Sequence, residues 1–150
     1  MLKKNIIIIS LIFFLANCGF TPIYLKNDNI NFSLEQIEFV GDRDLNNFLK
    51  INLNRYKNER NINKISLDVE TKYEKNILTK DGTGKISSYK LYAEAIFVIK
   101  STNQIIKIKE NKILESKDDK FEEARNERSI KQNFASSISQ KLTSELITNK

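Results

Sequence analysis

Residues 65–73 read Ile65-Ser66-Leu67-Asp68-Val69-Glu70-Thr71-Lys72-Tyr73, with apolar, aromatic or β-branched side chains at every odd position and polar ones at every even position. Strand side chains alternate between faces, so this stretch predicts a strand with one covered face and one wet face. Downstream, Tyr89, Leu91, Ala93, Ala95, Phe97 and Ile99 share one face of a second, longer strand, whose other face is partly apolar through Tyr92, Ile96 and Val98. The connection Lys80-Asp81-Gly82-Thr83-Gly84-Lys85 holds two of the four glycines and reads as flexible. Thr102-Asn103-Gln104 predicts a hairpin turn into a third strand over Ile105 to Leu114. These successive strands are expected to pair antiparallel. Upstream, Leu34 to Val40, through Ile37 and Phe39, predicts one more strand, ended by Gly41-Asp42.

A strand covered on one face needs a covering layer, and two stretches change period to supply it. Asp42 is placed to cap a helix whose Leu45, Phe48, Leu49, Leu53 and Tyr56 recur in steps of three and four. Lys57 to Asn63 is its polar exit. Asp119 followed by Glu122 has capping-box spacing and opens a long C-terminal helix. Its expected packing residues are Phe121, Ala124, Ile130, Phe134, Ile138, Leu142 and Leu146, and the charges between Glu122 and Lys131 read as a solvated flank. The order β-α-β-β-β-α points to an α+β two-layer sandwich, with two helices packed on one face of a small, mostly antiparallel four-stranded sheet.

The only cysteine, Cys18, closes a different kind of segment. Lys3 and Lys4 precede the apolar run Ile6 to Leu15, and Leu15-Ala16-Asn17-Cys18 follows like a lipobox. About ten apolar residues rise roughly 15 Å as a helix, half of a ~30 Å hydrocarbon core, so the run reads as an export signal instead of a span. Residues 1–17 are then a lipoprotein signal peptide, 18–33 a lipidated tether containing the sole proline, Pro22, and 34–150 the α+β domain. Acylation of Cys18 would anchor the chain to a membrane. Gly19 stands where an aspartate would signal inner-membrane retention, which favours the outer membrane. The alternative is an uncleaved signal anchor.

Of the formal charge of +6, Lys3 and Lys4 carry two, leaving +4 after the signal, a mild basic bias toward anionic partners. The single cysteine permits no intramolecular disulfide, and the chain has no His and no Trp. That removes the usual general base, Cys-His catalysis and the common transition-metal ligands, so neither an enzyme nor a cofactor is expected. Gly82-Thr83-Gly84 lacks the Lys-Ser/Thr that completes a phosphate-cradling loop and reads as a turn. Lys107 and Lys109 would project from one face of a strand, where two readings stand: a row meeting phosphates, or charges blunting a sheet edge. Export argues against a nucleic-acid partner.

The stretch Cys18-Gly19-Phe20-Thr21-Pro22-Ile23-Tyr24 resembles the Cys-Gly-Phe-x-Pro-Leu-Tyr opening of LptE-type LPS-assembly lipoproteins, particularly their alphaproteobacterial branch. Tyr89 to Ile99, the strand after it, and the tail from Phe121 through Glu122-Glu123-Ala124-Arg125 to Leu146 are similar to the family's C-terminal half. Asn17 and Leu25 depart from the pattern. The resemblance implies a non-catalytic outer-membrane lipoprotein that supports assembly of the LPS-translocating β-barrel LptD, plugs its lumen, and touches lipopolysaccharide. Charge and expected exposure nominate Lys75, Lys80 and Lys85, in a loop from Lys75 to Lys85, together with Lys107 and Lys109, for that contact. The rival reading is an outer-membrane lipoprotein scaffold or secretion-system accessory with no LPS role.

Overall fold

The computed structural model describes residues 32–57 and 61–148. Its elements follow the expected order: β1 (Ser33–Gly41), α1 (Arg43–Asn54), β2 (Lys64–Lys80), β3 (Ile86–Ile99), β4 (Gln104–Glu115) and α2 (Lys120–Thr148). The strands lie side by side as β1-β2-β3-β4. The β2–β3 and β3–β4 pairs are antiparallel, as hairpin connections require. β1 and β2 are parallel, because α1 carries the chain from the end of one to the start of the other, and the sheet is therefore mixed.

β1 explains an oddity of its own sequence. Leu34 and Ile37 differ in parity and would face opposite sides of a regular strand. The register jumps from Leu34↔Ile65 to Ile37↔Leu67, so Glu35 and Gln36 together oppose Ser66 and the bulge returns Ile37 and Phe39 to the side of Leu34. Asp42 then caps α1, its Oδ1 accepting from the Leu45 N–H at 2.8 Å. Leu45, Leu49 and Leu53, in steps of four, are wholly buried. Tyr56 lies just past the helix and stacks on Phe32 with ring centroids 6.4 Å apart. Phe32 is itself buried and Ser33 begins β1, so the packed structure reaches slightly upstream of Leu34.

The β2–β3 hairpin is longer than the alternation suggested. β2 continues to Lys80 and β3 begins at Ile86, with irregular pairing at Ile77, Thr79 and Lys80. The expected loop from Lys75 to Lys85 is thus mostly strand, because main-chain pairing continues after the hydrophobic alternation stops; only residues 81–85 are loop. The second hairpin turns over residues 100–103, where Asn103 takes the left-handed conformation (φ 56) that asparagine tolerates and donates its N–H to Ile99 O at 2.8 Å.

On the covered face, Leu91, Ala93, Ala95, Phe97 and Ile99 of β3 are buried, together with Leu67 and Val69 of β2 and Ile106 and Ile108 of β4. Burying each large side chain of this set is worth roughly 1.5–3 kcal/mol. α2 packs there through Ile130, Phe134, Ile138, Leu142 and Leu146, as expected. Its first turns do not follow the expectation. Phe121 is 76% exposed and Ala124 is exposed, whereas Glu123 is buried. Counting back from Phe134 through Ile130, the inward stripe reaches Glu127 and Glu123 and leaves Phe121 and Ala124 on the outer side.

Candidate functional site

Three surfaces of the fold carry concentrated chemistry. The first is an ionic junction between β2 and the N-terminal turns of α2. Lys75 Nζ lies 3.0 Å from Glu123 Oε1 and 2.9 Å from Glu127 Oε2, and 4.2 Å from the centre of the Tyr89 ring. Glu123 Oε2 accepts from Lys120 Nζ at 2.9 Å and from Ser116 Oγ and the Lys117 N–H at 3.0 Å. Tyr73 donates its hydroxyl to Glu127 at 2.9 Å, and Lys131 places its ammonium 3.9 Å above the Tyr73 ring while facing Asp42 at 3.6 Å.

Burial alone would raise the Glu123 carboxyl. The Lys120 ammonium, the Lys117 N–H, Lys75 and Ser116 outweigh that and hold its pKa down to about 2. Desolvation would lower the Lys75 pKa, but Glu127 and Glu123 leave it raised. Tyr73 is raised by burial and by Glu127. Glu123 and Lys75 are therefore held in their charged forms. The junction clamps two elements together, and the charges between Glu122 and Lys131 are in part an inward network instead of a solvated flank.

The second surface is the open face of the sheet, which no layer covers among the described residues. The register places Glu38, Asp68, Val98 and Ile105 in one row, Val40, Glu70, Ile96 and Lys107 in the next, and Lys72, Glu94 and Lys109 in the third. Val40 and Ile105 are 69% and 66% exposed. Glu94 gathers Lys107 at 2.9 Å and Lys109 at 3.6 Å and accepts from the Tyr92 hydroxyl at 2.5 Å. That bond raises the Tyr92 pKa to about 12, while Tyr92 and the lysines lower that of Glu94. The third surface is an open groove of about 500 Å³ between α1 and α2, lined by Phe48, Phe121, Ala124, Arg125 and Arg128 among others. The Arg128 guanidinium lies 5.5 Å from the centre of the Phe48 ring.

The nominated lysines do not converge. Lys75 lies on the covered face in the ionic junction, whereas Lys107 and Lys109 lie on the open face. Lys85 sits in the β2–β3 loop, paired with Asp118 at 2.5 Å, and Lys80 is exposed at the last position of β2. Cys18 lies outside the described residues. No group of His, Cys, Asp and Glu side chains that could hold a metal occurs among the described residues, and none of their helices is long and apolar enough to cross a membrane. Sequence reading passed over Tyr73, Glu123, Glu127 and Lys131 as a connected set; the available signal was that 123, 127, 131 and 134 continue one helical stripe.

No protein-family model and no curated protein matches the chain. Solved structures do match. The rare lipoprotein B from Shewanella oneidensis superposes with a TM-score of 0.54 at 13% identity, covering 77% of this chain and 96% of that one. An uncharacterized lipoprotein B from Nitrosomonas europaea gives 0.53 at 12% identity, over 79% of this chain and 86% of that one. The chain shares their fold. A minor lipoprotein from Acinetobacter baumannii gives 0.51 at 16% identity, over 76% of this chain and 93% of that one. At this identity the likeness concerns the arrangement of strands and helices, not the side chains of any site.

Proposed function

We propose that this chain is an outer-membrane lipoprotein, acylated on Cys18, that supports assembly of the LPS-translocating β-barrel LptD, plugs its lumen and helps deliver lipopolysaccharide, without a reaction of its own. The observation that carries the reading is a coincidence of two independent features. The lipobox and the Cys18-Gly19-Phe20-Thr21-Pro22-Ile23-Tyr24 opening stand at one end of the sequence, and the domain that follows has a fold also found in three bacterial proteins named as lipoproteins. A two-layer domain with charged outer surfaces suits a wide, polar barrel lumen. The lipid on Cys18 would hold it at the inner leaflet.

The test is mass spectrometry of covalently crosslinked partners of the epitope-tagged native protein, with its N-terminal peptide read in the same sample. Acylated Cys18 recovered with the LPS-assembly barrel, and loss of mature barrel on depletion, are the expected results. An intact Met1 end would remove the lipid anchor and favour the uncleaved signal anchor. Acylated Cys18 with secretion or peptidoglycan components would favour the scaffold reading.

Contact with lipopolysaccharide is a separate part of the proposal, and Lys107 and Lys109 are the pair to test. One carboxylate, Glu94, serves both ammoniums, so the three groups together carry one unit of positive charge. The Lys107→Glu, Lys109→Glu double variant is expected to weaken lipopolysaccharide binding several-fold with an unchanged circular dichroism spectrum. Unchanged binding by a folded variant would dismiss these lysines as an LPS contact.

A further inference from the structure

The two edges of the sheet are built differently. β1 is bulged between Leu34 and Ile37, a form that resists pairing with another chain. β4 runs for 12 residues and pairs with β3 in unbroken register from Ile99↔Gln104 to Ser88↔Glu115. Among the described residues no strand lies on its other side. Lys107 and Lys109 of this edge reach back over the open face to Glu94 on β3 and remain about half exposed.

The free side of β4 also borders on open space. A groove of about 450 Å³ runs beside residues 104–109, with Lys141 and Glu145 of α2 on its wall. A second, of about 350 Å³, runs beside residues 112–115, with Asn126, Ser129 and Asn133 of α2 among its lining. An unpaired edge beside a helix-walled groove is the geometry in which an extended segment adds a strand, with main-chain bonds giving affinity and alternate side chains giving selectivity.

We propose that β4 is the docking edge for an extended, acidic segment of a partner protein, which adds to the sheet as a further strand. The register fixes its pattern. On the open face the added side chains would stand beside Ile105, Lys107, Lys109, Asn111 and Ile113, so the segment carries apolar residues at its two ends and acidic residues opposite the two lysines. A second copy of this chain is the rival occupant. Antiparallel self-pairing centred on Lys109 or on Glu110 opposes like charges, which destabilises a strand pair. Centring on Asn111 instead sets Glu110 against Lys112 and Lys107 against Glu115, so a concentration-dependent protection of β4 is the outcome that would reveal this occupant. This inference stands apart from the barrel proposal and would hold for any partner with such a segment.

The test uses the full chain, isotope-labelled, in detergent, titrated with a capped nonapeptide designed to run antiparallel to β4. It has valine at both ends, glutamate at its fifth and seventh positions and threonine elsewhere. Saturable amide shifts and slowed hydrogen exchange over residues 104–115 are the expected result. A copy N-methylated at alternate amides keeps the charges but loses the main-chain donors. A copy with lysines for the glutamates keeps the donors but opposes Lys107 and Lys109. Each is expected to bind at least about tenfold more weakly. The Lys107→Glu, Lys109→Glu chain should invert the preference in favour of the lysine peptide. Equal binding by the N-methylated copy, shifts confined to other surfaces, or no saturation would overturn the proposal. So would β4 amides protected before any peptide is added, which would identify the occupant as a second copy if protection rises with concentration, or as another part of the same chain if it does not.

Discussion

Gly41→Ala is expected to cost about 3 kcal/mol or more of folding stability, lowering the melting temperature by roughly 10 °C or preventing folding altogether. Gly41 closes β1 opposite Thr71, at φ +105, where a side chain is strained whatever the space. Space is absent as well. A Cβ there would lie 1.9 Å from the Thr71 carbonyl oxygen, which is main chain and cannot swing away. The same carbonyl accepts the Asp42 N–H at 3.3 Å, so any shift that relieved the clash would disturb the residue that caps α1. Gly84→Ala is the control. Gly84 also has a positive φ, +86, but nothing lies within 4 Å of its added Cβ, so only the backbone penalty of about 1 kcal/mol applies. Equal losses for the two variants in urea unfolding would show that the contact with Thr71 contributes nothing.

The legible parts of the fold were those written in short periods. Alternation over 65–73 and 89–99 found the central strands, steps of three and four found both helices, and Asp42 and Asp119 marked where the helices begin. What escaped depended on partners distant in sequence. β2 continues past Tyr73 without alternation because β3 supplies its main-chain bonds, and the exposed end of a two-stranded ribbon needs no apolar face. Phe121 is among the more apolar residues of its helix and yet faces solvent, while Glu123 faces inward. Hydrophobicity ranked them wrongly because Lys75, 48 residues earlier in sequence, waits under the helix to receive the carboxylate. Of the candidate site, the sequence could nominate lysines by charge. It could not separate them by face, since Lys75 and Lys107 look alike until the register puts one beneath α2 and the other on the open side.

Glu123→Ala is expected to destabilise the domain by about 2–3 kcal/mol, because it removes a buried acceptor that serves four donors at once, although its lysine partners stay in reach of solvent or of Glu127. Glu123 is 5% exposed and serves Lys75, Lys120, Ser116 and the Lys117 N–H. Lys75 would keep Glu127, but the chain entering α2 would lose the acceptor that binds residues 116 and 117 to the helix. Glu123→Gln separates charge from hydrogen bonding through pH. The carboxyl falls from 4.5 to about 2 on folding, so between those values the unfolded chain binds the proton more strongly than the folded one. Stability from this group is therefore complete above about pH 4.5 and is lost as pH falls toward 2, amounting to about 2–3 kcal/mol. Glutamine has no proton to exchange. In urea unfolding at pH 2.5, 3.5, 5 and 7 the native chain should weaken more steeply with acid than the Gln variant, the two curves converging at the acid end. Glu74, Asp81, Glu94 and Asp118 are also held low and add their own acid sensitivity, but they are present in both proteins and cancel in the difference. Parallel curves would mean that Glu123 is held by its hydrogen bonds alone, and that its charge does nothing to join β2 to α2.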